Sequence, residues 1–217
     1  MPRPSLLGSM EPLDALCHHF NVVKTSYTSG DPLPKYIDMP ITRDAHMPSH
    51  ALALYQSTTT SSSIQPLIVP IDADMYNNGF RVDDLIPPVA PGSTSPVPFV
   101  HPNSGLLTVS LPVVPISLPH IASIPLLLLF GLGLETQTNF LALHLLPPQV
   151  ISEFPNSAEM ARQMSLLTEE EFQRRVKYNQ GMWKNVLALG VKDTKIVELV
   201  QTAWNVTAEA RRFRQFR

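Results

Sequence analysis

The sequence predicts an α+β fold, mainly α in its C-terminal half, in which a proline-rich extended and hairpin N-terminal half packs on a small helical domain ending in an antiparallel helical hairpin. Three observations predict it. All 22 prolines lie between Pro2 and Pro155 of the 217-residue chain, so the backbone before that point is repeatedly denied helix and ladder donors while the backbone after it is not. Charged residues make up only 16% of the chain, which leaves long apolar runs in the first half for extended structure. Beyond Pro155, capping residues and a 3.6-residue apolar period recur together.

Residues 1–63 hold MPRPSL, GDPLPK, IDMP and STTTSSS, separated by short apolar patches such as His19-Phe20-Asn21-Val22-Val23. Patches this short do not bury enough area to offset the ordering of the chain. A loosely ordered N-terminal arm over 1–63, with a strand or two, is therefore expected, and Ser57–Ser63 reads as a flexible linker. A single domain is expected over 64–217, extended over 64–122 and helical over 123–217. It opens with QPLIVPIDADMYNNGFRVDDLIPP, where Asn77-Asn78-Gly79 supplies the residues a tight turn favours, so a β-hairpin returning through Phe80, Val82 and Leu85 is predicted. GLLTVSLPVVPISLP follows. Pro112, Pro115 and Pro119 remove backbone donors every three or four residues, which predicts an edge strand running into a polyproline-like segment.

Ile124 to Leu134 reads as a short buried helix entered at Pro125, with Gly131 and Gly133 allowing close packing and exit. Asn139 to Leu146 reads as a second apolar helix, stopped by Pro147-Pro148. A short helix capped by Asn156 comes next. Thr168-Glu169-Glu170-Glu171 has the form of a capping box, with acids where the helix dipole favours them, and Gly190 stops that helix. Asp193 caps the last helix, which carries Ile196, Val200, Ala203, Trp204 and Thr207 on one face to meet Phe172, Val176, Trp183, Val186 and Leu187. The short connection forces the two antiparallel, with Trp183 and Trp204 near the seam.

Several functional classes fall away. No formal charge occurs between Gly105 and Leu134, yet Pro112, Pro115, Pro119 and Pro125 would break any spanning helix drawn there. Gly131-Leu132-Gly133 lacks the third glycine position and the βαβ setting of a dinucleotide fingerprint. There is no nucleophile elbow and no phosphate-cradling glycine loop. Cys17, His18, His19, His46 and His50 are the only metal-like grouping, with Pro48 inside the His46–His50 spacing, and solvated loop histidines are the plainer reading. Asp72, Asp74, Asp83 and Asp84 could gather carboxylates across the predicted hairpin, although such acids more often solvate a turn. No catalytic, cofactor or metal residue is assigned. Two rival classes stand: an enzyme assembled from scattered Asp and His residues, and a membrane-associated protein using the 105–134 stretch.

Net charge is −2, against bulk electrostatic binding of nucleic acid, but from Arg174 to Arg217 ten Lys and Arg face three acids. Arg211, Arg212, Phe213, Arg214 and Arg217 are the candidate residues for partner binding or nuclear import, weighed against a solvated helix end whose cations suit the dipole. One cysteine excludes an intramolecular disulfide, Asn205-Val206-Thr207 reads as a helical surface triplet, and MPRPSLLGSM lacks the pattern of an export signal. A nuclear or cytoplasmic location is expected.

The run LPVVPISLPHIASIPLLLLFGLGLETQTNFLALHLLPPQVISEFPNSAEMARQM, then YNQGMWKNVLALGVKD and VQTAWNVTAEARR, resembles the fungal clampless family of sexual-development regulators over about positions 65–212. The resemblance implies a non-enzymatic protein in mating-type-controlled development, acting through other proteins, transcriptional regulators among them, in the nucleus. It implies no cofactor and places no catalytic residue.

Overall fold

The computed structural model describes residues 5–27, 32–57, 65–82, 85–87 and 96–215. After a 3-10 turn at Leu6–Gly8 come α1 (Pro12–His19), β1 (Tyr36–Pro40), β2 (His50–Gln56), β3 (Leu67–Ile71), α2 (Ala73–Gly79), β4 (Phe99–Val100) and β5 (Leu107–Leu118). The helical half follows: α3 (Ile124–Gly131), α4 (Thr138–Leu145), α5 (Pro148–Ile151), α6 (Ser157–Ser165), α7 (Glu169–Leu189) and α8 (Thr194–Gln215). This is an α+β chain with its sheet in the N-terminal half and most of its helix in the C-terminal half.

The sheet runs β1-β5-β2-β3, with β4 also on β5. β5 is therefore a central strand, not the edge strand its prolines predict. The reason lies in where each proline nitrogen points. β5 pairs antiparallel with β1 through Thr108 to Pro112, then parallel with β2 through Val113 to Leu118. Val113 N–H donates to Lys35 O on the β1 side at 2.9 Å. Because successive residues turn their N–H groups to opposite edges, Pro112 faces away from β1 just before β2 pairing begins. Pro115 faces the β1 side after β1 has ended, so neither ring removes a ladder bond. The same alternation protects the outer edge of β3: Ile71 O bonds Ser49 N on the β2 side at 2.9 Å, which turns Pro70 and Pro66 outward, where a missing donor discourages strand addition.

The hairpin predicted around Asn77-Asn78-Gly79 does not form. Asp72 caps a helix instead, its Oδ1 accepting from Met75 N at 2.9 Å, and the Asn-Asn-Gly run becomes the end of α2. Tyr76 and Phe80 stack at 4.7 Å between ring centroids and are fully buried. Residues 79–81 then dock on the turn after α7, with Arg81 N–H on Gly190 O at 2.8 Å and Lys192 N–H on Gly79 O at 2.9 Å. Loose ordering of the first 63 residues is likewise not seen where they are described. α1 buries Leu13, Ala15, Leu16 and Cys17, and β2 is buried from His50 to Leu54. The patches that looked too short alone are stabilised by docking onto the rest of the core. Of the expected Ser57–Ser63 linker, residues 58–63 lie outside the described residues.

The helical half follows its caps. Every residue of α3 from Ile124 to Phe130 is buried, and Glu135, itself buried, accepts from Thr136 N (2.8 Å), Gln137 N (2.7 Å) and the Ser5 hydroxyl, fixing the entry to α4 and the N-terminal turn together. Asn156 caps α6, Thr168 caps α7 through Glu171 N at 3.3 Å, Gly190 ends α7 at φ 65°, and Asp193 Oδ1 accepts from Lys195 N at 2.8 Å. α7 and α8 pack antiparallel, joining Phe172, Met182, Val186 and Leu189 to Ile196, Val200, Ala203 and Val206. Trp183 and Trp204, expected near that seam, are only half-buried at its flanks, and Leu187 is exposed. The seam holds a polar tie instead: Asn179 Nδ2 donates to Thr207 Oγ1 (2.9 Å) and to Leu145 O (3.1 Å).

A second tie joins sheet to helices. Asn185 Nδ2 donates to His120 O (2.6 Å) and Ser123 Oγ (2.9 Å), and its Oδ1 accepts from His120 N (3.3 Å). The His120 ring sits where any Cβ on Gly181 would collide with it, edge-on to Tyr178 at 5.6 Å.

Two predictions arise. A Cβ on Gly79 would land on the carbonyl oxygen of Gly131, so Gly79→Ala should cost about 1–3 kcal/mol or more in urea unfolding, whereas Gly133→Ala, strained in φ but with open space, should cost about 1 kcal/mol. His50 and His120 are both held below the ordinary imidazole value of 6.5 chiefly by burial, opposed by Asp72 for His50 and reinforced by Lys177 for His120. The unfolded chain therefore takes up these protons first. Stability should be fully present above about pH 6.5 and fall as the pH drops below it; urea midpoints should show this slope, and His50→Gln with His120→Gln should flatten it.

Candidate interaction surface

The antiparallel hairpin brings the acidic start of α7 beside the arginine-rich end of α8. The structure divides the predicted cluster. Arg214 turns inward: it bonds Glu169 at 2.9 Å, lies 4.4 Å above the centre of the Phe172 ring, and its buried Nη1 has no hydrogen-bond partner among the described residues. It pins the open end of the hairpin. Arg212 is exposed and pairs with Glu209 one turn earlier at 3.0 Å. Arg211 is exposed with no ion pair among the described residues. Phe213, 38% exposed, points out of the helix end. Arg217 and Phe216 lie outside the described residues.

Phe213 stands between two shallow depressions formed where α6 packs on α8. Ala158 and Phe213 wall both; Ser157, Asn205 and Glu209 are among the residues lining one, and Asn156, Glu159 and Arg162 among those lining the other. Arg162 is held by Glu159 through Nε at 2.8 Å and Nη2 at 2.5 Å. The pairing of Arg214 with Glu169 was open to inference, because a hairpin with acids at its first residues and arginines at its last must bring them together. The α6 groove was not, since nothing local shows which helix α8 covers. Sequence reasoning also passed over an apolar overhang on the β4–β5 hairpin, where Val100 pairs with Leu107 and both, with Val97 and Leu106, are exposed.

The other candidates are dispersed. Cys17 is buried, its thiol pushed up to about 11 mainly by burial. His46 lies in a loop 4.0 Å from Asp72, and His50 opens β2, so their spacing is not helical. Asp72 caps α2, Asp74 lies in its first turn, and Asp83 and Asp84 fall outside the described residues. Among the described residues no three His, Cys, Asp or Glu side chains are placed to hold a metal, and no helix is long and apolar enough to cross a membrane. Asn205-Val206-Thr207 is helical as expected, but Thr207 is fully buried in the seam.

Residues 139–215, from α4 through α8, match the Clampless protein 1 C-terminal domain family, which supports a clampless assignment for this helical unit. No curated protein and no solved structure matches the chain.

The two kinds of arginine separate by experiment. Arg214→Gln, which loses a half-buried ion pair and a cation–π contact, should lower stability by about 1–2 kcal/mol, while Arg211→Gln should stay within about 0.5 kcal/mol in the same urea titration.

Proposed function

We propose that the chain is a non-enzymatic regulatory protein that acts by binding other proteins, in developmental control of the kind the clampless family resemblance implies, fungal mating-type-controlled sexual development, with transcriptional regulators among its partners in the nucleus. The observation that carries the reading is the coincidence of the family match with one structural unit: α4 to α8 fall within residues 139–215 but for the first residue of α4, and that unit carries the exposed Arg211, Arg212 and Phe213. An exposed aromatic flanked by arginines is the composition of an interface centre rather than of an inert surface. Asp72 is occupied as the cap of α2, and the His120 ring meets the Ser123 hydroxyl through Nδ1 at 3.0 Å.

The test uses the tagged full chain in its native cells. Proteins that co-purify with the wild type should be lost with Arg211→Gln/Arg212→Gln/Phe213→Ala, with an unchanged melting temperature and a developmental defect like that of the deletion. Nuclear accumulation should fall with Arg211→Gln/Arg212→Gln/Arg217→Gln while Arg214 is left in place. If the variants keep every partner and develop normally, the reading fails.

A further inference from the structure

We propose that the open side of the α7–α8 seam receives an acidic amphipathic helix of a partner protein, its apolar side chains seated between Trp183 and Trp204 and its carboxylates on the lysines of α7; this rests on the protein-binding reading above and names the partner's chemistry. α4 closes the seam on one side, where Asn179 is tied to Thr207 and to Leu145 O. On the side turned away from that tie, at about 100° per residue, Val176, Trp183 and Leu187 form one row on α7, and Val197, Trp204 and Ala208 form the facing row on α8. Leu187 is 62% exposed and the other five are only half-buried. Neither indole N–H makes a hydrogen bond among the described residues, and neither is sealed from solvent. Each is a donor left for an incoming carboxylate.

The charge of this face is of one sign. From Phe172 to Lys192 the chain holds no acid, and from Leu199 to Ala208 it holds no charge at all. Lys177 and Lys184 stand exposed one row out from Trp183, Arg211 stands exposed at the end of the facing row, and none of the three has an ion pair among the described residues. Carboxylates come in toward the ends: Glu169, bonded to Arg214, with Glu170 beside it, and Glu198, which shares a depression at the turn with Arg81 and Lys192. Glu209 is held by Arg212. Uncompensated cations along an apolar groove call for carboxylates on its occupant.

The same sign disfavours a second copy, because in a symmetric pair the face meets itself and sets Lys177, Lys184 and Arg211 against their own likes. Nucleic acid is the poorer fit as well: a phosphate backbone needs more cations than this face supplies on a chain of net charge −2. Both walls are helices whose backbones are internally bonded, so the groove offers no ladder to an extended strand and fits a helix read through its side chains.

The experiment titrates the purified full chain with a tryptophan-free helical peptide of about 18 residues, roughly 27 Å long, with Glu on one face and Leu at i, i+3, i+4 and i+7 of the other. The chain has two tryptophans, both in the groove, so its own emission reports occupancy. Emission should shift to the blue and saturate, and the affinity should fall with salt. Lys177→Gln/Lys184→Gln and, separately, Leu187→Ala should each weaken binding at least about tenfold. All three side chains are exposed, so both variants should keep the wild-type urea midpoint. Absence of binding, equal binding of a Lys-for-Glu peptide, indifference to both variants, or peptide anisotropy that rises without a change in tryptophan emission would overturn the proposal. So would self-association that shifts the same emission, or tighter binding of a single-stranded oligonucleotide through the same lysines. Native partners that co-purify with both variants as they do with the wild type overturn the groove and leave the interaction reading standing; a wild-type chain that captures no partner overturns the reading on which the groove rests.

Discussion

Everything in this fold leans on α7, and α7 is held to the sheet by the side chain of Asn185. Its amide answers the backbone of His120 on both sides and reaches Ser123 as well, at the point where the chain leaves β5 and enters α3. A fully buried amide that left these bonds unmade would cost more than the bonds contribute when made, so the contact acts chiefly as a specification: only one register of α7 against the end of the sheet satisfies it. Gly181, one turn earlier, admits the His120 ring, and Asn179 fastens the opposite side of the same helix to Thr207 of α8 and to the end of α4. Three positions within seven residues thus fix where the hairpin lies, and with it where α8 ends.

What was legible in the sequence divides along the line between local and remote causes. The caps at Asn156, Thr168 and Asp193 and the left-handed stop at Gly190 act within one turn of chain, and each does in the structure what its residue type and spacing imply. The buried α3 was equally plain, since a proline entry followed by an uncharged apolar run has few other uses. Where the reading failed, the deciding partner was far away. Asn-Asn-Gly serves a hairpin turn or a helix end about equally well, and the choice was made by Gly79 meeting Gly131 and by residues 79–81 docking on residues 190–192. The prolines of β5 looked like edge markers because a proline forbids only one bond, on one side. Which side that is depends on neighbours whose order along the sheet no local pattern reveals.

The same division runs through the candidate surface. A run of arginines at a helix end was evident, and so was its surplus of charge, but the run is not one functional object. Along a helix, neighbouring residues diverge by about 100°, so Arg214 can lie over Phe172 while Arg211 and Phe213 look elsewhere. The tryptophans illustrate the converse. Periodicity places Trp183 and Trp204 on the apolar side of their helices, yet it does not distinguish the centre of a stripe from its flank, and the centre went to smaller residues that let α7 and α8 approach.

Arg214 also explains how a strongly basic end can coexist with a stably closed hairpin. Four like charges within seven residues repel one another and pull at the last turns of α8, although they suit its dipole. Pairing one of them with Glu169 and laying it on an aromatic ring removes that cation from the surface field and turns it into packing. Glu169 in turn sits where the dipole of α7 already favours an acid, so the pair is supported from both helix ends at once. The consequence is a division of labour by depth. The inward arginine holds the helix end still, while Arg212 is bound only by an exposed pair and Arg211 by no ion pair among the described residues. A rigidly held cation and a loosely held one thus come from residues only three positions apart, Arg214 and Arg211.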